Sequence, residues 1–385
     1  MTSWIPDLSP HRGPRYVAIA EALASDIEAG RLKPGDRLPT HRDLAWRLGV
    51  TVGTITRAYA EAERRSLVAG EVGRGTYVRE RTSNAPPPPA NDDGFIDLAR
   101  NFPPLWRDTA DIGRLLAEIG QSNDLARLLG YASNLGHASH REAGAQWVAR
   151  SGVEASPKQI AVSNGAQHGM LVAMSALTRP GDIVLTEQLT FYGMKSIATM
   201  LSLRLHGVEM DEYGLVPDAL AAACRQTNAR VLYCIPTLQN PTNTLMPAER
   251  RAEITAICKQ HGVVIVEDDI YGFLASETRP LSAFAPDQSI YVTGLSKCVA
   301  PGLRVGYLRA SEKLIERIGA ALRATIWMAT PLMAEIAARL INAGGAEAMA
   351  RAMREESEAR QAIAARLLSG ADFNAHTASF HIWLK

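Results

Sequence analysis

A single lysine, Lys297, stands between a strand-like apolar run and a Pro-Gly turn in the stretch VTGLSKCVAPGLRVGYL. Arg304 follows seven residues later. A lysine held among apolar groups and near another cation loses proton affinity, and its neutral amine becomes a usable nucleophile. Arg304 is placed to bind a dianion through its planar guanidinium. This spacing predicts covalent amine chemistry beside an anion site.

Other residues with chemical potential also follow apolar, strand-like runs. Gly165 permits a tight turn before a helix, and the free N–H groups at the start of that helix suit a phosphate. The pair Phe191-Tyr192 offers a flat aromatic face, although core packing explains such a pair equally well on its own. Asp268 ends an apolar run, where a buried carboxylate needs a partner such as a protonated aromatic nitrogen. A helix N-cap would explain Asp269 better than Asp268.

These features converge on one cofactor. They provide a phosphate site, an aromatic face for a flat ring, a carboxylate for a ring nitrogen and an amine nucleophile. Pyridoxal 5′-phosphate, held as a Schiff base, needs all four. Each motif alone is weak, and the prediction depends on their joint occurrence at strand ends. The sequence therefore predicts that pyridoxal 5′-phosphate binds at Lys297.

The elements that must position these residues alternate between strands and helices over residues 95–385. Near-continuous Val, Ile and Leu runs between helical stretches predict an α/β domain with a sheet buried on both faces. In such sheets, ligands bind beyond the carboxyl ends of the strands. The predicted strands are residues 160–164, 182–187, 229–236, 262–269, 289–294 and 303–310.

Residues 10–81 carry a different pattern. Apolar residues at helical spacing predict a helix over 16–30, with Gly30 as its stop. Thr40 caps a short second helix that ends at Gly49, and a third helix follows after one tight turn. Two short strands around a Gly-Arg-Gly turn come next. This winged helix-turn-helix (α+β) arrangement predicts a DNA-binding domain whose third helix fits the major groove.

A proline-rich stretch separates the two predicted domains. Residues 82–94, TSNAPPPPANDDG, hold four consecutive prolines, which favour an extended linker.

The overall composition indicates the class of protein. The chain has 41 Lys and Arg against 40 Asp and Glu, so bulk charge gives no sign of a nucleic-acid partner. It has no CxxC pair, no signal pattern and no apolar run long enough for a membrane helix. We therefore expect a cytoplasmic protein with no disulfide framework, metal site or membrane segment.

The first domain carries the motif pieces LKPGDRLPT, LGVT and GRGTYV. With these it resembles the GntR-type winged-helix DNA-binding domain over about 65 residues. The resemblance implies double-stranded operator DNA as a partner. The candidates for DNA contact are Arg42, Thr51, Thr54, Arg57 and Arg74. One departure is Val52, which stands where the family often carries an arginine; Arg57 lies further along the same helix.

The second domain carries SNGAQ, QNPT, EDDIYGF and SKCVAPGLRVGY. With these motifs it resembles the fold-type-I aminotransferases of the aspartate aminotransferase kind. The resemblance assigns Lys297 to the internal aldimine and Asp268 to the pyridine nitrogen. It assigns Asn240 and Tyr271 to the ring hydroxyl and Phe191 to stacking on the ring. The residues implied for the phosphate are Gly165, Ala166, Gln167, Ser296 and Arg304.

The same resemblance implies a homodimer, and this sequence departs from the family pattern at three places. Tyr131 matches a tyrosine that reaches the phosphate of the partner subunit. Gly294 stands where a phosphate-binding Ser or Thr is common, with Thr293 beside it, and Asn243 replaces a frequent glycine. The family also implies several tens of further residues after Lys385, including an arginine that binds a substrate carboxylate.

The order of the domains resembles that of MocR/GabR-type transcriptional regulators. It implies a transcription factor in which an amine or amino-acid effector, or the cofactor itself, acts at Lys297 to modulate DNA binding. Two alternatives stay open. One is a working aminotransferase with an appended DNA-binding arm, and the other is a cofactor-binding module that neither binds DNA nor turns over substrate.

Overall fold

A computed structural model describes residues 4–9, 13–33, 35–65, 67–71, 75–78, 98, 101–104, 110–275 and 278–385. It divides the chain into two compact units, Met1–Pro89 and Ala90–Lys385. The predicted linker, residues 82–94, lies outside the described residues, so the predicted domain limits stay predictions. Among the helices of the described residues, none carries the long apolar stretch that crossing a bilayer requires.

The described residues of the first unit form three helices followed by a two-stranded hairpin. The Thr40 side chain caps the second helix by accepting a hydrogen bond from the Asp43 N–H at 3.2 Å, and Gly49 ends that helix in the left-handed conformation. Thr51 caps the third helix by accepting from the Thr54 N–H. The elements are α1 (Arg15–Glu28), α2 (His41–Leu48), α3 (Val52–Arg64), β1 (Val68–Glu71) and β2 (Gly75–Val78).

The apolar spacing of α3 explains how this unit holds together. Ile55, Tyr59 and Ala62 are buried against α1 and α2, as the sequence predicts. The buried Tyr59 hydroxyl donates a hydrogen bond to the Pro39 carbonyl at 2.9 Å, which satisfies its polar end. The opposite face of α3, including Arg57, stays exposed. The helix-turn-helix is therefore observed with its expected face outward.

The hairpin forms the wing of this unit. Its strands pair antiparallel, with Val68 opposite Val78 and Glu71 opposite Gly75. Both predicted strands are therefore present. Arg74, at the tip of the predicted wing, lies outside the described residues.

A seven-stranded sheet forms the centre of the second unit. Its strands are β3 (Ile160–Ser163), β4 (Ile183–Glu187), β5 (Arg204–Val208), β8 (Val231–Cys234), β9 (Val264–Asp268), β10 (Ser289–Gly294) and β11 (Gly306–Ala310). Two small hairpins lie outside it: β6 (Met210–Asp211) with β7 (Gly214–Leu215), and β12 (Phe373–Ala375) with β13 (Ile382–Leu384). The strand order is β3-β11-β10-β9-β8-β4-β5, and β11 alone among them runs antiparallel to its neighbours.

Helices cover this sheet in two tiers: α6 to α12 contact its strands, and α4, α5, α13 and α14 pack chiefly against other helices. The helices are α4 (Ala110–Gln121), α5 (Leu125–Leu129), α6 (Ala138–Ala149), α7 (Gly165–Leu177), α8 (Tyr192–Met200), α9 (Pro217–Gln226), α10 (Ala248–His261), α11 (Leu281–Phe284), α12 (Glu312–Thr325), α13 (Pro331–Asn342) and α14 (Gly345–Leu367), with 3₁₀ turns at Pro157–Gln159 and Pro301–Leu303. Every residue of β3, β8, β10 and β11 is buried, which explains their continuous apolar runs. The edge strand β5 escaped the sequence analysis because exposed Arg204 and Gly207 interrupt its apolar pattern.

The reversed strand β11 forms a hairpin with β10, and the turn of this hairpin lies at the carboxyl end of β10, which is one edge of the sheet. The pairing runs to Gly294 opposite Gly306, and the connection between them contains both Lys297 and Arg304. The carboxyl ends of β8, β9 and β10 meet at the same edge, because these strands are mutually parallel. The residues predicted to do chemistry are thereby brought to one place.

Candidate functional site

A cavity of about 480 Å³ opens at this edge of the sheet. Its volume lies within the range of cofactor pockets. Of the predicted cofactor residues, all except Gly165 and Tyr131 line it. They are Ala166, Gln167, Phe191, Asn240, Asp268, Tyr271, Ser296, Lys297 and Arg304. Most residues that were predicted from the sequence to bind the cofactor therefore line one cavity, while the role of each residue stays a prediction.

Lys297 is the predicted nucleophile of this cavity. Its Nζ donates a hydrogen bond to the backbone carbonyl of Asn101 and lies 6.0 Å from the ring centroid of Tyr271. Burial lowers the pKa of the Lys297 amine to about 8, while the negative charge of Asp268 opposes part of this shift. A lower pKa leaves a larger share of this amine neutral near pH 7.5 than of an ordinary lysine. This is the property that the predicted nucleophile needs.

Asp268 provides a buried carboxylate with spare bonding capacity. Its Oδ2 accepts a hydrogen bond from the Tyr233 hydroxyl at 2.9 Å. Its Oδ1 is buried and has no hydrogen-bond partner among the described residues. Burial raises the pKa of Asp268 to about 6, and the hydrogen bond from Tyr233, the backbone N–H of Ile270 and the charge of Lys297 limit the rise. An unpaired carboxylate oxygen is costly, so Oδ1 is available to a donor that enters the cavity.

The turn between β3 and α7 and the Arg304 guanidinium lie together at the predicted phosphate site, here called the anion cradle. Gly165 has a φ of +80°, a left-handed conformation that strains other residues, and a Cβ there would lie 2.6 Å from Nη2 of Arg304. No side chain caps the start of α7, which leaves its first N–H groups available. The Arg304 guanidinium makes only long contacts, at 3.4 Å to Ser296 Oγ and 3.5 Å to the Asn164 carbonyl. Its donors therefore remain free for an anion.

Two aromatic side chains line another side of the cavity. Phe191 and Tyr192 lie at a tilt with ring centroids 4.7 Å apart. A Cβ on Gly193 would come within 2.3 Å of Phe191, so the glycine lets this ring take its place. The Gln167 amide also packs there, donating to the Gly193 carbonyl at 3.2 Å. Phe191 also packs partly against the buried core, so it has the core contacts that the sequence allowed, and its stacking on a ring stays a prediction.

Tyr131 is not brought into the cavity. Its side chain is 85% exposed and packs edge-on against Trp327, with ring centroids 6.0 Å apart. Its predicted role concerns a partner subunit and stays a prediction.

The predicted departures from the aminotransferase motif have structural reasons. A Cβ on Gly294 would lie 2.9 Å from the Val305 carbonyl, so the hairpin leaves no room for Ser or Thr at this position. Thr293 does not replace them, because its hydroxyl is buried and donates to the Asp269 carbonyl at 3.2 Å. The anion cradle therefore depends on the other residues. Asn243 adopts a left-handed φ of +63°, which asparagine tolerates better than most residues, so the loop conformation survives the loss of glycine.

Two residues of the site escaped the sequence analysis. Asn101 lines the cavity beside Lys297, and its Nδ2 donates to the Tyr271 hydroxyl at 2.7 Å. No motif marks it, because its contacts join segments far apart in the chain. Tyr233 did carry a signal, since a tyrosine in a buried strand needs a partner for its hydroxyl.

The cysteines take no part in the site. Cys224, Cys234, Cys258 and Cys298 are all buried and unpaired. Within the described part of the chain, no group of three or more His, Cys, Asp and Glu side chains is arranged to hold a metal ion.

The exposed face of the helix-turn-helix presents the predicted DNA contacts. Arg42 and Arg57 are exposed, and no hydrogen bond or ion pair joins either of them to the described residues. The hydroxyls of Thr51 and Thr54 lie 2.9 Å apart at the start of α3, where Thr51 also caps the helix. Val52 is 44% exposed beside them. The two arginines are thus free for DNA, while Thr51 already has a structural role.

Two family models match the two units. The model for class I and II aminotransferases matches residues 93–380, and the model for bacterial regulatory proteins of the gntR family matches residues 15–78. An uncharacterized HTH-type transcriptional regulator of Bacillus subtilis, YdeF, is 31% identical over 378 residues, which cover 96% of this chain and 80% of the relative. The chain belongs to the family of HTH-type transcriptional regulators that join a gntR domain to a class I and II aminotransferase domain.

This HTH-type regulator is also similar to PdxR of Corynebacterium glutamicum, a pyridoxine biosynthesis transcriptional regulator. The two are 26% identical over 321 residues, covering 79% of this chain and 68% of the relative. Among solved structures, an archaeal alanine:glyoxylate aminotransferase matches with a TM-score of 0.68 and 23% identity over 75% of each chain. This likeness establishes that the second unit of the regulator has the fold-type-I aminotransferase fold.

Fold-type-I aminotransferases depend on pyridoxal 5′-phosphate, and the residues of this regulator fit that group. The unpaired Oδ1 of Asp268 matches a protonated ring nitrogen. The cradle of Gly165 and Arg304 matches a phosphate, because a Cβ at Gly165 would fill it. The Lys297 amine is available for an aldehyde.

Replacing Arg42 with alanine should weaken binding of the HTH-type regulator to its operator by roughly 1–3 kcal/mol, if the guanidinium contacts a base. The measurement is a titration of upstream DNA at fixed salt. Arg47→Ala on the same helix is the control, because Arg47 is held by Asp43 at 3.0 Å. An unchanged footprint for Arg42→Ala would remove it from the DNA contacts.

Proposed function

We propose that this regulator binds pyridoxal 5′-phosphate at Lys297, and that an amine or amino-acid effector, or cofactor loading itself, changes its affinity for operator DNA. One observation carries the proposal. A lysine with a lowered pKa and a buried carboxylate with an unpaired oxygen line the same cavity, in a chain that also carries a gntR domain. Neither feature is needed for DNA binding alone.

The position of each residue in the cavity wall suggests its proposed role. When bound, the cofactor supplies an aldehyde that condenses reversibly with a primary amine. Lys297 provides that amine, and Asp268 holds a proton at the ring nitrogen. Tyr271 and Asn240 bind the ring hydroxyl, and Phe191 covers one face of the ring. The cradle at the start of α7 and Arg304 bind the phosphate.

An effector amine would compete with Lys297 for that aldehyde chemistry, and its binding would leave the lysine side chain free. This exchange shifts DNA binding only if the two states of the lysine favour different arrangements of the regulator. The proposal therefore requires a coupling free energy between the cavity and the DNA face, typically worth 5- to 150-fold in affinity. A homodimer would read paired half-sites of an operator.

A DNA-binding titration tests the proposal. We expect cofactor, or cofactor with an effector amine, to change the dissociation constant for upstream DNA by at least about fivefold. Pyridoxine 5′-phosphate is the matched control, because it has the same ring and phosphate but lacks the aldehyde. Equal DNA affinity in all of these states, across a panel of amines and amino acids, would contradict the proposal.

A working aminotransferase is the alternative function, because Lys297 and Asp268 are the groups that such an enzyme requires. Steady-state turnover of amino-acid and keto-acid pairs separates the two. The regulator proposal predicts at most slow half-reactions together with cofactor-dependent DNA binding. Rapid turnover combined with cofactor-independent DNA binding would favour the enzyme.

A further inference from the structure

His381 lies just before β13 and joins three segments around the cavity. Its Nε2 lies 3.0 Å from the Gln239 carbonyl, and its Nδ1 lies 3.0 Å from Nδ2 of Asn101. Its Nδ1 is also 3.1 Å from the Ser379 hydroxyl. The imidazole packs on the Tyr271 ring, with centroids 5.6 Å apart. Both ring nitrogens are therefore engaged.

The partners of His381 fix its tautomer. A backbone carbonyl only accepts hydrogen bonds, so Nε2 must carry the proton and donate it to Gln239. Nδ1 is then an acceptor, which matches the Asn101 NH₂ donor. Burial lowers the pKa of His381, and the charge of Lys297 lowers it further, which keeps the ring neutral. This donor and acceptor pattern allows one orientation of the Asn101 amide.

Asn101 connects this histidine to the reactive lysine. Its backbone carbonyl accepts from Lys297 Nζ, and its Nδ2 also donates to the Tyr271 hydroxyl. The backbone of His381 is tied down independently, because its carbonyl accepts from Asn243 Nδ2 at 2.6 Å. The wall beside Lys297 is thus held from the far end of the chain.

We propose that His381 is a positioning residue of the cavity, which holds Asn101 against the Lys297 amine through the acceptor at Nδ1. This inference rests on the proposed function and goes further, because it places a residue outside the cavity lining in control of the lysine. Without the acceptor, the Asn101 amide loses its orientation and the segment beside Lys297 loosens. Water then reaches the amine and the bound cofactor.

Substitutions at His381 distinguish the effect of the hydrogen-bond acceptor at Nδ1 from the effect of the packing of the ring. His381→Phe keeps the ring and removes both polar atoms, whereas His381→Gln keeps only a donor near Gln239. His381→Asn places an amide oxygen close to the position of Nδ1 and restores the acceptor. His206→Phe, in the edge strand β5, is the control for loss of a histidine elsewhere.

Two measurements are made on each purified full-length variant. Cofactor retention is expected to weaken about tenfold in His381→Phe and His381→Gln, because a buried donor is left unsatisfied. His381→Asn is expected to stay within about twofold of the wild type. In cofactor-free protein, competitive acetylation of Lys297 across pH gives the pKa of its amine. We expect that pKa to rise toward its ordinary value in the Phe and Gln variants alone, because burial is what lowers it.

The comparison of His381→Asn with His381→Phe decides whether the positioning role is correct. If His381→Asn is as impaired as His381→Phe, or if His381→Phe matches the wild type in both measurements, the positioning role is wrong. The acetylation profile needs no cofactor. If the wild type fails to retain cofactor, the proposed function fails while the acetylation profiles still test His381.

Discussion

Replacing Lys297 with alanine is expected to abolish covalent retention of pyridoxal 5′-phosphate. The wild-type regulator, loaded with cofactor, should be yellow and should bleach on reduction with borohydride. In the variant no amine is available inside the cavity, so reduction should leave no adduct on the peptide that spans residue 297. The expected loss of adduct is complete, because reduction fixes only the covalent form.

The control for this experiment is Lys195→Ala. Lys195 is exposed on α8, close to the cavity wall, so its loss tests for non-specific labelling of surface amines. We expect it to colour and bleach like the wild type. An adduct that persists in Lys297→Ala, or a colourless wild type in excess cofactor, would overturn the assignment of the lysine.

Replacing Asp268 with asparagine is expected to have two opposite effects. It keeps the shape and the contact with Tyr233 but removes the charge that would pair with a ring nitrogen. Loss of one partner of a buried ion pair costs about 3 kcal/mol, so cofactor should bind roughly a hundredfold more weakly. Equilibrium titration of the cofactor-free protein measures this loss. Tyr233→Phe, which keeps the charge and removes one hydrogen bond, should weaken binding less.

The second effect concerns the cofactor-free protein. Because folding raises the pKa of Asp268 to about 6, the folded state holds this proton more tightly than the unfolded state. The contribution of Asp268 to stability therefore falls as pH rises from about 4 to 6 and stays unfavourable at pH 7. Asp268→Asn removes this penalty, so the cofactor-free variant should melt at a higher temperature than the wild type at pH 7, and the difference should shrink toward pH 4. A lower melting temperature at pH 7 would contradict the pKa shift.

The parts of the site that follow buried strands were predictable from the sequence. These strands are mostly apolar because both of their faces are buried, so a charged side chain at the end of one, or just past it, marks the edge of the sheet. Asp268, the last residue of β9, and Lys297, three residues past the end of β10, stand out for this reason. Gly165 was detectable because a left-handed turn strongly favours glycine. Local physics is sufficient for all three.

The parts that depend on distant contacts were not predictable. Asn101 meets Lys297 and His381 across nearly two hundred residues or more of sequence, and no local pattern encodes such a meeting. The edge strand β5 was missed because partial exposure removes the continuous apolar run that marks its neighbours. Tyr131 matches a family motif, yet its environment within one chain is the surface. In each case the information lies in tertiary packing.

The hairpin of β10 and β11 has a consequence for how this cavity changes by mutation. One uninterrupted connection carries both the covalent attachment point and the anion-binding guanidinium, and its two ends are locked by the pairing of Gly294 with Gly306. An insertion or deletion in that connection is expected to displace the lysine, the guanidinium or both. Substitutions on walls that other segments contribute, such as those carrying Phe102 and Ser196, change the cavity without moving either group. The lysine and the guanidinium are therefore constrained together, while the residues that determine which ligand fits beside them can change separately.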